Sequence, residues 1–442
     1  MTDLLLRRTW AGATLLLLLV SHRLWIPSPH WGSSPPWVLG DGIWIVDFPR
    51  VPMISLANGT SFWIDAVSLA ALVVSLAIVA VRRDSAMSWR PMVVIAISFA
   101  TLFVCNQHRL QPWAYQGWLY AILFACAAPQ TARRWVILLT ISIYAYSALG
   151  KFDQQFLKTV GPSLVSTLMP VGVIEDGDVA VDRWRWWIES SVVLLPVAEL
   201  MIAGLLAITK TRRVGGSAAI AMHLSLIAIL GPLGMGHSAA VLAWNLFLAI
   251  QSWMLFVRRD EANDSTQWQS VSAGGSRPPA VGFVAKGLIL AAILLPMLER
   301  FPRGEVYGYW DHWLSWSLYS PHTSRVELQV HESAIGMLPK VVSQYSHSGD
   351  EDDGWLTIQV DRWSLAELAV PVYPQARFQL GVAHEIALKL DSEKESRLSK
   401  RGAIRIKIRG VADRRTGRRE EIWAMGAAGI AKQRSRFWLL PR

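Results

Sequence analysis

Four stretches of this chain set ionisable or strongly hydrogen-bonding side chains within, or at the rim of, long apolar runs. Each such group costs several kcal/mol there unless it is paired or hydrated, so each is a site candidate by default. The first is Asn106-Gln107-His108-Arg109-Leu110-Gln111, a short polar turn between two apolar runs. The second runs from Tyr144 and Tyr146 through Ser147 and Gly150 into Lys151 and Asp153. The third is Glu199, three residues after Pro196 in the middle of an apolar segment, and the fourth combines His223 with His237 in a glycine-rich turn and Asn245 beyond it. Each residue also has a plainer reading. Arg109 can pair with Asp153, Lys151 can snorkel to the interface, His223 can bond a neighbouring helix, and Glu199 and His237 can be structural.

The elements that must hold these groups are transmembrane helices. Of 442 residues, 52% are hydrophobic and only 17% charged, below the roughly 25% charged of soluble domains. Apolar runs suited to a hydrocarbon core appear near 8–25, 64–81, 90–106, 114–128, 134–150, 190–208, 214–233, 238–257 and 281–299. Arg7 and Arg8 precede the first run, no small-residue cleavage site follows it, and it reads as an uncleaved span. With the N-terminus in the cytoplasm, thirteen Lys or Arg residues fall in inner segments and seven in outer loops, and every inner loop is basic, which is the positive-inside pattern. Many of the 23 tryptophans flank the apolar runs as interfacial rings do. Topology therefore accounts for the net charge of +10 without invoking nucleic acid as a partner. Cys105 and Cys126 form no CxxC pair and lie at different depths in their helices, so neither a disulfide nor a thiol relay is expected.

The expected organisation is an eight-span bundle over 1–259, a polar cytoplasmic linker at 260–280, a ninth span at 281–299 and an extracytoplasmic α+β domain over 300–442. In that domain Val326, Leu328 and Val330 alternate with polar residues, as do Ile404, Ile406 and Ile408. Both runs predict half-buried strands, with further strands at 355–360 and 421–425 and a helix over 376–393. Outer loops 26–62 and 151–189 are long, the latter with an acidic patch at Glu175–Asp178. Asp311 and His312 are sequence neighbours that do not easily share a ligand, and no metal site is expected there.

Three of these motifs together resemble the vitamin K-dependent γ-carboxylase-like family, often called HTTM proteins, and more distantly DoxX-like and MauE-like membrane proteins. Asn106-x-His108 resembles the family's Asn-Asn-His. Tyr144-x-Tyr146-Ser-Ala-x-Gly150-Lys151-Phe152-Asp153-x-x-Phe156 resembles its Tyr-Phe-x-Ala-Gly-x-Lys-Lys-Leu-Asp-x-x-Trp stretch, and Glu199–Leu206 followed by His223 resembles its later pair of spans. The likeness covers roughly 100–255. It implies Lys151 as the base that responds to a quinol, and His108 and His223 as the functional histidines. The chain departs from the family at Gly150, which stands for the first lysine, and at Leu226, where the family has an asparagine. The Trp-rich Tyr309–Pro321 segment is similar to a stretch that follows the last span in such proteins.

Two function classes compete. One is an enzyme with an outward-open membrane pocket acting on a quinone-like or other lipid-soluble molecule. The other is a non-catalytic, redox-associated or assembly component that works with a membrane or extracytoplasmic protein. A transporter is disfavoured by the absence of an inverted repeat and the scarcity of intramembrane charge. Asn106, Arg109, Tyr146, Asp153, Glu199, His237 and Asn245 are the further pocket candidates, and convergence of Lys151, His108 and His223 on one cavity would favour the enzyme.

Overall fold

The computed structural model describes residues 2–27, 47–53, 60–82, 89–167, 190–258, 279–300, 310–348, 353–392 and 402–436. The acidic patch at Glu175–Asp178 and most of the linker expected at 260–280 lie outside the described residues.

Each of the nine apolar runs is helical. They are α1 (Thr2–Val20), α2 (Thr60–Val81), α3 (Arg90–Cys105), α4 (Pro112–Cys126), α5 (Pro129–Gly150), α6 (Leu194–Ala207), α7 (Arg212–Leu230), α8 (Ala239–Ser252) and α9 (Pro279–Leu294). Four helical stretches, Phe62–Val81, Ser190–Ala207, Arg212–Leu230 and Ala239–Val257, are long and apolar enough to cross a membrane. Only 28% of Phe62–Val81 is buried within the protein, and Trp63, Val67 and Val74 face outward from it. An apolar helix so uncovered suits lipid as its solvent. Proline at the first turn opens α3, α4 and α5, where its fixed φ suits the helix and its missing N–H removes no bond. Helix α4 has thirteen of its fifteen residues buried, and it packs on α1, α3, α5 and α9, so it is the centre of the bundle.

The C-terminal residues build an antiparallel sheet of β1 (Arg325–His331), β2 (Ser346–Ser348), β3 (Trp355–Ile358), β4 (Ile404–Arg409) and β5 (Glu421–Met425), in the order β2-β3-β1-β4-β5. The expected alternation holds. Leu328 and Val330 pair with Ile406 and Ile404, and these residues form a buried face under the helix Ala376–Ser392, called α11 after α10 (Val360–Leu368). The serines and histidine of β2 gave no such signal, and that strand was not expected.

This sheet domain is seated on one end of the bundle. Trp363 Nε1 donates to the Asp47 carbonyl at 3.0 Å, Arg23 pairs with Glu367 at 2.8 Å, and the Gln154 N–H donates to the Arg414 carbonyl at 2.9 Å. A continuous apolar core runs from α1 and α4 into β1, β4 and α11. The turns that reach the sheet domain, after α1, between α3 and α4 and after α5, all come from one end of the bundle.

Candidate functional site

At that end a cavity of about 380 Å³ opens between α4, α5, α6, α7 and α8 and is roofed by residues 312–321 and 371–374 of the sheet domain. Its walls are mostly apolar, with Trp113, Ile143, Phe156, Leu195, Trp244 and Leu248 among them. A few polar groups converge on it, which is the usual make-up of a small-molecule pocket.

Lys151 is the C-cap of α5, and its stem is buried along the last helical turn. Its Nζ donates to Ser147 Oγ at 2.7 Å and to Glu199 Oε2 at 2.5 Å. The partner of Lys151 is thus Glu199, and the amine lies at the cavity wall rather than snorkelling to the interface. Glu199 is held across from it because α5 and α6 pack side by side. Deeper in the cavity, His223 Nε2 lies 2.7 Å from the Tyr144 hydroxyl and Nδ1 lies 2.9 Å from Asn245 Oδ1. The Asn245 amide nitrogen donates to the Val241 carbonyl at 2.9 Å, which leaves Oδ1 as the acceptor. His223 therefore carries its proton on Nδ1 and accepts the Tyr144 O–H at Nε2, with Ser252 Oγ 3.2 Å from the same hydroxyl. The chain Ser252–Tyr144–His223–Asn245 is a fully partnered relay with a defined direction.

His237 lines the mouth, accepts the Ser238 N–H at 2.9 Å, and meets the Tyr319 ring edge-on. The roof is held under strain. Trp316 and Tyr319 are both at φ 58°, the left-handed region, which costs an L-residue roughly 1–2 kcal/mol and collects at functional sites. Gly150 makes the close approach possible, since a Cβ there would lie 3.1 Å from Ser317 Oγ.

Five of the predicted residues thus meet at one cavity: Lys151, Glu199, His223, His237 and Asn245. The other five do not line it. His108, expected beside Lys151, is instead buried beneath the sheet domain, with its Nε2–H donating to the Pro371 carbonyl at 3.1 Å. Its ring packs between Phe48 and Phe378. Burial pushes its pKa down to about 4, so the ring is neutral. Asn106 caps the turn before it, accepting the His108 N–H at 3.2 Å. Arg109 pairs with Asp65, not Asp153, and also donates to the Leu24 and Trp25 carbonyls at 3.0 Å each. Asp65 also holds Arg50 at 2.5 Å, so the pair is an α2-to-turn clamp. Tyr146 donates to the Ile293 carbonyl at 2.7 Å, on the face toward α9. Asp153 caps the helix Gln154–Lys158 through the Phe156 N–H at 2.9 Å.

Among the described residues a second polar cluster adjoins the cavity. Glu299, His312 and His322 bring three ligand-type atoms within 4.8 Å of one another, all buried. The partners of His312 come from 13 residues upstream and 10 downstream, so its neighbour Asp311 gives no sign of this grouping. Glu299, a carboxylate at the end of an apolar run, was the legible signal for it.

No protein-family model, no curated protein and no solved structure matches this chain. The likeness to the γ-carboxylase-like family therefore stands on the motifs around Asn106, Lys151 and His223 alone.

Proposed function

We propose that this chain is a nine-span membrane protein whose outer-facing cavity takes a quinone-like or other lipid-soluble molecule and acts on it through Lys151. The observation that carries this reading is the meeting of Lys151, Glu199, His223 and Tyr144 at one mostly apolar cavity between helices. Apolar walls suit a ring with a hydrocarbon tail, and the polar groups suit ring oxygens. The Lys151–Glu199 pair is placed to take a proton from a bound hydroxyl, Lys151 meeting the oxygen and the Glu199 carboxylate holding the proton. The Tyr144 hydroxyl, which donates to His223 Nε2, is a second polar group at the cavity that can accept a hydrogen bond from the bound molecule. Basic inner loops support a cytoplasmic N-terminus, and the turns read as outer all lie at the end that carries the sheet domain.

Trp113, Trp244 and Trp313 line the cavity and provide the test. Titration of the purified protein in lipid nanodiscs with a short-tailed naphthoquinone should quench tryptophan fluorescence saturably. Lys151→Met should keep the fold and weaken or abolish the saturable phase, and Lys151→Arg should keep binding but not proton transfer, because arginine stays charged. Linear quenching identical to that of free tryptophan in the same lipid would overturn the reading. The second reading, a non-catalytic component, is favoured by the Lys151–Glu199 ion pair itself, which on that reading only ties α5 to α6. It predicts that Lys151→Arg restores every property lost in Lys151→Met.

A further inference from the structure

We infer that Glu299, His312 and His322 form a binding site for a divalent first-row transition metal, beside the cavity and at the seam between the bundle and the sheet domain. The nearest atoms are Glu299 Oε1, which lies 2.9 Å from His312 Nδ1 and 2.8 Å from His322 Nε2. The two rings are 5.1 Å apart at 69°, so their donor atoms face one point from different directions. Two imidazoles and one carboxylate are the donor set of His2Glu zinc sites and of open non-haem iron sites.

The surrounding shell favours this over a simple hydrogen-bond cluster. The Ser320 hydroxyl donates to the Gly150 carbonyl, so its oxygen is free to accept from His322 Nδ1, 2.9 Å away. Asp153 Oδ2 stands 3.6 Å from the same nitrogen. Protein metal ligands use this carboxylate-to-histidine arrangement to keep the proton on one nitrogen and the lone pair on the other. His322 Nε2 then presents a lone pair that accepts from Arg414 Nη2 at 3.0 Å, while Glu299 Oε1 stands 2.8 Å from it, acceptor against acceptor. Ser317 Oγ donates to Glu299 Oε2 at 2.9 Å and fixes the carboxylate in that attitude. A proton on His322 Nε2, in the imidazolium or in the other neutral tautomer, satisfies Glu299 but sets that N–H against the Arg414 guanidinium nitrogen 3.0 Å away. Either protonation state leaves one like-facing contact, and a cation bound by all three residues removes both. Arg414 Nη2, 3.2 Å from Glu299 Oε2, is the group such a cation displaces.

The test uses the full chain, purified through a tag without histidines, stripped with a chelator and titrated with Co2+ or Zn2+. The proposal expects about one metal per chain by elemental analysis, visible d–d absorption for Co2+, and a rise in melting temperature with metal concentration. His322→Gln and Glu299→Gln should each lose the absorption and the rise. Arg414→Gln should tighten binding several-fold by removing the competing cation, and this variant keeps the test decisive should the ligand variants fail to fold. A wild-type chain with no stoichiometric metal, no d–d bands and no melting shift would overturn the site and leave an Arg–Glu–His clasp in its place. So would an Arg414→Gln chain that binds metal no better than wild type.

Discussion

His108 shows what a buried ionisable group does when no opposite charge reaches it. Its ring sits among Phe48, Phe378 and Ser364, and its Nδ1 has no partner among the described residues. An unfolded histidine titrates near 6.5, whereas here burial pushes the value down to about 4. The folded chain therefore binds fewer protons than the unfolded chain between these limits, and stability falls as pH falls through that window. It is fully present above about 6.5, and the difference amounts to about 3 kcal/mol at the acid end. Melting temperature followed from pH 7 to pH 4 should drop more steeply for the wild type than for His108→Gln, whose amide can still donate to the Pro371 carbonyl. Parallel curves for the two proteins would show that His108 is not the group responsible. His384, also held at about 4 by burial, contributes equally to both curves and cancels.

At the scale of elements, helix α11 makes the tightest approach to the bundle. A Cβ on Gly381 would lie 2.4 Å from Val51 Cγ1, closer than packed carbons come, so the helix and the 47–53 segment touch only because this position is glycine. Gly381→Ala should destabilise the docked domain by about 1–3 kcal/mol, the range for overpacking a well-filled core. Val51→Ala in the same chain should recover part of that loss, as read by limited proteolysis of the sheet domain and by melting. Independent, additive losses would mean that the two residues do not share the contact. This contact also shows what the sequence could disclose. Strands β1 and β4 were legible because apolar and polar residues alternate along them with a period of two, and the nine helical runs because each is a long apolar stretch suited to a hydrocarbon core. The partners of the site residues were not, because pairings such as Lys151 with Glu199, Arg109 with Asp65 and His312 with His322 are set by which helices and loops meet. Periodicity carries no record of that. The ionisable residues stand out in the sequence as expensive, but cost alone does not name a partner, and His108 shares the cost while belonging to a packing contact.

For the whole molecule the question is which side of the membrane the cavity faces. The sheet domain, the polar turn before α4, the Lys151 end of α5 and the His237 turn all lie at one end, so a single orientation fixes them together. The basic residues Arg82, Arg133, Arg134 and Arg212 lie at the other ends of these helices, and positive charge is retained on the cytoplasmic side. On the proposed topology the first helix enters from the cytoplasm, and nine crossings would put residues 300–442 outside with the roofed cavity opening to the outer leaflet. A reporter active only in the cytoplasm, fused after Arg442, should be silent, while one active only outside should work. The same fusions placed after Arg258 should give the opposite pair of results, since that position follows the eighth crossing. Cytoplasmic activity at both sites would remove α9 as a span and bring the sheet domain inside. The sheet domain could not then roof a cavity mouth lined by Lys151 and His237, which lie at the opposite end of the bundle from Arg258. Matching signals from Arg258 and Arg442 would thus sink the nine-span reading, and a reversed pair would sink the orientation while leaving the cavity and its roof intact.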